Sequence, residues 1–442
     1  MSPKVSVIMP SLNVEPYIRE CMDSALCQKE QDIEIISIDA GSTDGTWEIL
    51  REYARADGRV RLFQSELKSY GAQVNQGIRL ARGKYAAILE TDDYVVPEMY
   101  GVLYELAEEK QVDYIKADYD SFMTLSNGYK LSQRVKLFED EPQLYNRVMH
   151  PEEHNVLLMR DCNLWKGIYR SSFLRENQIL LNESPGAAFQ DIGFTVLSLS
   201  CAKKAYYTDL SLYRYRLDRE QSSTNSVKSS WNAYQEFKRL VETEFLLQQI
   251  GNKKGLYLRM AASFIGEYEK GLRILSYDCE AEVIGEAYAW FQDMLGKAIE
   301  DGMIDEVDVG EDIFEKLKMS LYRPKEYALK LKENDRKAND ALQAVIDRAK
   351  ESGAVIFGAG TYGMETLRHL DRNHVVVKAF ADNNEKLMGT KQLGIPVCSL
   401  KACLEAYPCE LYVVASKYHA EEMRQQFLEE GGKEGQLKII NF

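Results

Sequence analysis

The chain has 442 residues, 45% of them hydrophobic and 28% charged, and a formal net charge of -14. That length suits two or three domains with ample cores, and the acidic balance makes nucleic acids and anionic membrane surfaces poor general partners. The 8 cysteines are scattered without a C-x-x-C pair, which argues against a zinc site or a disulfide framework. No apolar run reaches the length of a membrane span, and Met1-Ser2-Pro3-Lys4 lacks the apolar stretch of a signal peptide, so a cytoplasmic protein is expected.

The first predicted strand, Val5-Ser6-Val7-Ile8-Met9, is ended by Pro10, whose φ is fixed and which has no backbone donor. The polar turn Ser11-Leu12-Asn13-Val14-Glu15 follows. A second strand, Ile33 to Ile38, runs into Asp39-Ala40-Gly41-Ser42-Thr43-Asp44-Gly45-Thr46, where small residues and short acceptors suit a loop that caps a helix beginning near Trp47. The third, Tyr85 to Leu89, stops at Glu90-Thr91-Asp92-Asp93. Apolar runs of this kind read as parallel strands covered on both faces, and with helices between them they make a doubly wound unit. Its polar loops share the carboxyl edge, where such sheets bind ligands. Glu90, Asp92 and Asp93 would repel one another there unless a cation holds them, and Mg2+ or Mn2+ is the natural guest. Taken alone, the same cluster reads as an acidic turn facing water.

Farther along, Pro185-Gly186-Ala187-Ala188-Phe189-Gln190-Asp191 leads into a helix whose dipole suits an acid at Asp191. Tyr213-Arg214-Tyr215-Arg216 alternates like a strand with one packed face, and its guanidiniums also suit phosphate oxygens. Trp165 and Tyr169 read as helical packing or as a platform for a sugar. From 226 to about 350 helical spacing takes over, as in Tyr234, Phe237, Leu240 and Val241, and no chemistry is visible. Then Ala354 to Phe357, a strand, meets Gly358-Ala359-Gly360-Thr361-Tyr362-Gly363 and a helix, with Asp382 at the distance of a ribose-binding acid. The organisation expected is 1–225, a helical connector 226–350, and 351–442.

Pro10, Asn13 and Glu15, then Asp39 with Gly41-Ser42-Thr43-Asp44-Gly45, then Tyr70-Gly71, Asn75, Gly77, Ala81 and Gly83, then Glu90-Thr91-Asp92-Asp93 resemble, in that order, the donor-binding half of family 2 glycosyltransferases. The resemblance implies the GT-A fold, a Rossmann-like and mostly parallel sheet. It implies that Asp39 meets the nucleotide base, with Pro10, Ser11, Asn13, Glu15, Gly71 and Asp93 around the donor. Asp92 and Glu90 would hold the metal at the donor diphosphate, Arg214 and Arg216 would reach that diphosphate, and Asp191 would be the general base. Three departures stand out: Glu90 where the family more often has Asp, Ala40 where a second Asp is common, and Leu12 where an aromatic often stacks on the base.

The final segment resembles the small Rossmann-like domain that precedes the acyltransferase part of bacterial sugar O-acyltransferases, through Asp382-Asn383-Asn384, Gly389 and Gly394-Ile395-Pro396-Val397, without hexapeptide repeats after it. A second nucleotide at Gly358, Gly360, Gly363 and Asp382, or a purely structural glycine turn, are both open. The function implied is metal-dependent, inverting transfer of a sugar from a nucleoside diphosphate to a hydroxyl of a glycan or lipid-linked saccharide in surface polysaccharide synthesis. Peripheral contact with a lipid-linked acceptor and a homo-oligomer are compatible with it. The alternatives are redox or epimerase chemistry in the last domain and a non-catalytic sugar-nucleotide-binding protein; Tyr234 and Lys238, the one Tyr-x-x-x-Lys pair weighed, sit in the connector.

Overall fold

In the computed structural model, which describes residues 2–218, 227–416 and 419–440, the chain forms two compact units. The first comprises Met1–Ser121 with Arg134–Lys330, the second Phe122–Gln133 with Leu331–Phe442. The expected boundary at 225/226 falls within 219–226, outside the described residues.

The first unit is organised on one sheet. Its parallel part has the order β3-β2-β1-β4, made of β1 Val5–Ser11, β2 Ile33–Asp39, β3 Val60–Gln64 and β4 Tyr85–Ile88. β1, β2 and β4 are buried along their whole length, as continuous apolar runs require. α1 Glu15–Leu26, α2 Thr46–Ala56 and α3 Tyr70–Leu80 are the connections. Ser11 lies opposite Asp39 and Ile8 opposite Ile88, so the three polar loops emerge side by side, as expected. β3 had no clear sequence signal. Only Val60 of its residues is fully buried, as befits the edge of a sheet.

Beyond β4 the sheet turns antiparallel. The chain continues through β5 Tyr94–Val95, α4 Met99–Lys110, β6 Tyr114–Thr124, β7 Lys130–Val135, β8 Val148–Met149, α5 Asn155–Arg160, β9 Gly167–Arg170, α6 Ser171–Glu176, α7 Gln190–Cys201 and β10 Ala205–Arg216. β9 lies between β4 and β6, with Ala87 opposite Ile168 and Lys116 opposite Gly167. A Cβ at Gly167 would sit 2.2 Å from the Ile115 carbonyl oxygen, so this pairing needs glycine. Tyr169 therefore belongs to a strand rather than a helix, and it is wholly buried. Tyr213 of β10 pairs with Val95 of β5, which carries the end of β10 against the acidic loop.

The rest of the first unit is helical: α8 Val227–Glu242, α9 Glu244–Gln249, α10 Lys253–Ile274, α11 Glu282–Glu300, α12 Glu306–Val309, α13 Glu311–Tyr322 and the start of α14 Pro324–Ser352. Tyr234, Phe237 and Leu240 are buried, as their spacing predicts. α10 packs on α5 and α8 on α7. No helix among the described residues is long and apolar enough to cross a membrane.

Besides the end of β6, most of β7 and the greater part of α14, the second unit contains β11 Ala354–Phe357, α15 Thr361–Arg372, β12 Val377–Ala381, β13 Lys391–Gln392, β14 Ile395–Cys398, α16 Leu400–Ala406, β15 Leu411–Ala415, α17 Ala420–Glu429 and β16 Leu437–Ile440. The sheet order is β13-β14-β12-β11-β15-β16, and only the short β13 runs antiparallel to its neighbour. This is the small Rossmann-like α/β unit expected. Gly363 is obligatory, because a Cβ there would meet the Gly358 carbonyl oxygen at 1.9 Å.

Candidate active site

The loops after β1 and β2 are stitched to each other. Asp39, almost fully buried, accepts through Oδ2 from the Gly41 and Ser42 amides at 2.8 and 2.9 Å, and through Oδ1 from Ser42 Oγ at 2.5 Å. Asn13, in the left-handed region at φ 51°, donates its amide to Ser42 Oγ and accepts from the Thr43 amide through Oδ1. Glu15 accepts from the Gly45 amide through Oε2 at 3.0 Å. Asn13 and Glu15 thus brace the Asp39 loop. The Pro10 carbonyl accepts from Thr91 Oγ1, and the Ser11 carbonyl accepts from Gln73 Nε2, so these two positions tie β1 to the acidic loop and to α3.

The acidic loop is sorted into one buried and two half-buried carboxylates. Asp93 is buried, accepting from Tyr213 Oη at 2.8 Å and from the Arg216 amide at 2.7 Å; burial and then Asp92 push its pKa well up. It orders the loop. Glu90 and Asp92 keep part of their surface exposed; Glu90 Oε1 accepts from Tyr70 Oη at 2.5 Å, and the Glu90 amide donates to Tyr213 Oη. Arg216 donates from Nε to the Asp92 carbonyl at 2.7 Å, pairs with Glu20 at 2.5 Å and lies over the Tyr17 ring. Arg214 turns to Ser211 and Asp120.

Could this loop hold a cation? The Cys21 thiol has its pKa pushed well up by burial and then by Asp93, Asp92, Glu90 and Glu20, a measure of the negative potential gathered there. No group of three or more His, Cys, Asp or Glu suited to a metal occurs among the described residues, and Glu90 and Asp92 are the partly exposed carboxylates of this loop. Two oxygen donors fit a hard ion that takes its remaining ligands from water and a substrate diphosphate, the habit of Mg2+ and Mn2+.

Asp191 lies in the first turn of α7, and the segment before it is held against α3. The Tyr70 amide donates to the Gly186 carbonyl, the Gly71 amide donates to Gln190 Oε1 at 2.9 Å, and Gln190 Nε2 donates to Ser184. A Cβ on Gly71 would lie 1.9 Å from the Asn182 carbonyl oxygen, so the glycine makes room for this segment. Burial raises the pKa of Asp191, against the pull of Arg259 and with the push of Glu236. The Tyr70 hydroxyl is raised by burial, then by Glu90 and by Asp191. Tyr70 hydrogen-bonds Glu90 while the next residue, Gly71, holds Gln190 beside Asp191, so α3 ties the acidic loop and the start of α7 to the same edge.

Beside them Trp165 stacks on Tyr213, with centroids 4.3 Å apart, and on Tyr215 at 5.2 Å. Trp165 is only 7% exposed, so it packs the strand end; Tyr215 keeps some surface. Sequence reasoning gave no role to Tyr213, Gln190, Arg259 or Glu236. The first two lie inside segments it singled out, whereas Arg259 and Glu236 arrive from helices with no local signal.

In the second unit, Asp382 Oδ2 accepts from the Ala359 amide at 2.6 Å and Oδ1 from the Asn384 amide, so the acid closes the glycine turn. A cavity of about 330 Å³ opens beside it, lined by Gly358, Asp382, Asn383, His419, Glu422 and Gln426 among others. Gly360 precedes α15 as its N-cap.

The family model described as Glycosyl transferase family 2 matches residues 6–164. The uncharacterized glycosyltransferase EpsJ of Bacillus subtilis is 31% identical over 217 residues, 49% of this chain and 62% of that protein. Glycosyltransferase GlyG of Streptococcus pneumoniae is 39% identical over 224 residues, 49% of this chain and 71% of its own length. The crystal structure of S. aureus TarS 1-349 in complex with UDP-GlcNAc superposes with a TM-score of 0.57 at 18% identity, covering 76% of this chain and 92% of that one, and so shares the fold. With these relatives and that fold, the chain belongs to glycosyl transferase family 2.

Proposed function

We propose that the first unit transfers a sugar from a nucleoside diphosphate to an acceptor hydroxyl, with inversion and with Mn2+ or Mg2+ bound. The observation that carries this reading is the start of α3, where Tyr70 hydrogen-bonds Glu90 and Gly71 hydrogen-bonds Gln190, the residue before Asp191. A metal loop and a base must flank one substrate.

Asp39 offers its carboxylate to the imide or amine edge of a pyrimidine, in a loop kept closed by Asn13 and Glu15. Glu90 and Asp92 would hold the cation, which when bound neutralises charge on the departing diphosphate. Asp93 keeps their loop in register. Arg216, by its grip on the Asp92 carbonyl, steadies the same loop and stands near enough to meet the diphosphate if it exchanges Glu20 for it; Arg214 is the weaker phosphate partner. Asp191 takes the proton of the attacking hydroxyl. A sugar nucleotide in the structurally similar TarS supports the donor class, and family membership supports an acceptor on a glycan or lipid-linked saccharide of a surface polysaccharide. In the second unit Gly358, Gly360, Gly363 and Asp382 shape the turn beside the cavity, and both a ligand distinct from the donor and a purely structural turn are compatible with it.

The test is release of nucleoside diphosphate from a panel of UDP, GDP, CDP and dTDP sugars, with and without Mn2+. Asp92→Ala should abolish the metal-dependent rate. Asp191→Asn should leave nucleotide affinity nearly intact while turnover falls by roughly two to four orders of magnitude, the scale of a missing general base. Only ionised Asp191 can accept a proton, and its pKa is raised, so turnover should fall with acidity at a pH above the ordinary aspartate value of about 3.9. Unchanged turnover in Asp191→Asn would put the base elsewhere.

A further inference from the structure

α10 contributes a buried arginine to the interior of the first unit. Arg259 is 2% exposed, and its three hydrogen bonds all go to neutral acceptors: Nη1 donates to the Leu158 and Asp161 carbonyls, each at 3.1 Å, and Nη2 donates to Thr195 Oγ1 at 3.2 Å. Its Nε has no hydrogen-bond partner. A buried guanidinium without a hydrogen-bonded counter-charge is costly, so its place needs a reason. The nearby Asp161 carboxylate is already engaged by Lys116 Nζ at 2.6 Å, Lys166 Nζ at 3.2 Å and Tyr207 Oη at 2.9 Å. Asp191 is the acid whose charge Arg259 favours most directly along α7. Thr195 Oγ1, which Arg259 holds, donates in turn to the Asp191 carbonyl at 2.9 Å, one turn back along α7.

We propose that Arg259 is a positioning residue for the general base: it fixes the first turn of α7 through Thr195 and supplies the buried positive charge that faces the Asp191 carboxylate. The proposal rests on the reading of Asp191 as base, and it makes the helical segment part of the active centre. The other groups that act on Asp191 electrostatically are Glu236 of α8, which opposes Arg259, and the Tyr70 hydroxyl of α3. Glu236 is itself paired with Arg239 at 2.5 Å, so Arg259 is the cation left to balance Asp191.

A double-variant cycle on the full chain, read by thermal unfolding without ligand, tests this independently of turnover. At pH 7 Asp191→Asn should raise the midpoint of Arg259→Met by about 2 °C or more beyond any change it makes in wild type, because there it removes a carboxylate that has lost its cation. Without Arg259 the folded-state pKa of Asp191 lies further above its unfolded value, so stability declines as pH rises through that window. The rescue should accordingly be small near pH 4.5 and larger at pH 7. Arg259→Lys, which keeps the charge and loses the fork, should show no rescue. If Arg259→Met does not fold alone, the double variant should fold; its failure to do so overturns the proposal. Equal effects of Asp191→Asn in both backgrounds, with no pH trend, also overturn it. Should turnover nevertheless be lost in Asp191→Asn, the base reading stands while this inference falls.

Discussion

Tyr213 shows how one hydroxyl can order a metal loop. It donates to Asp93 Oδ2 and accepts from the Glu90 amide, from a side chain with no exposure. Tyr213→Phe keeps the packing against Trp165 but leaves a buried carboxylate oxygen and a main-chain amide without their partner. A lost partner for a buried polar group costs about 1–3 kcal/mol, and groups that orient metal ligands typically change affinity about tenfold or more. The variant should therefore unfold at lower urea and bind Mn2+ more weakly in a calorimetric titration. Wild-type values for both would show that Asp93 does not depend on this contact.

The elements β6, α5 and β9 meet over a buried cluster of charge. Lys116 on β6 and Lys166 just before β9 both engage Asp161 at the end of α5. Burial drags Lys116 down to about 8, which counts against the folded pair, whereas burial of Asp161 is outweighed by the two lysines, which hold it at about 2. The pair is ionised at neutral pH, and the lowered Asp161 carboxyl stabilises the fold there. Asp161→Asn strands two buried ammonium groups and should cost about 3–5 kcal/mol in urea unfolding at pH 7. A carboxyl lowered in the folded state contributes stability above its unfolded pKa and loses it as pH falls toward the folded one, so the gap between wild type and variant should narrow between pH 4 and pH 2. None of this cluster could be read from sequence, because Lys116, Asp161 and Lys166 are brought together only by antiparallel strands whose own signals are short. By contrast β1, β2 and β4 are legible as apolar runs, and their loops carry Asp39 and Glu90 in plain view. Asp191 was legible only through its surrounding motif, and Gln190, which holds its turn, only as a neighbour.

On the scale of the whole molecule there are two sheets, and the second unit has a core of its own that includes Val355, Phe357, Tyr412, Val414 and Phe427. Separate cores allow separate melting, and a ligand stabilises only the part that binds it. Nucleoside diphosphate with Mn2+ at a hundred times its dissociation constant contributes about 2.7 kcal/mol to the unit that holds it. Calorimetry should show one transition rising with this pair and another unmoved. Asp382→Ala, which frees the Ala359 and Asn384 amides of the glycine turn, should lower the unmoved transition and leave the ligand-dependent one in place. A single transition that responds to both the ligand and Asp382→Ala would mean that the units unfold as one cooperative body, and the donor site could then feel changes made in the second unit.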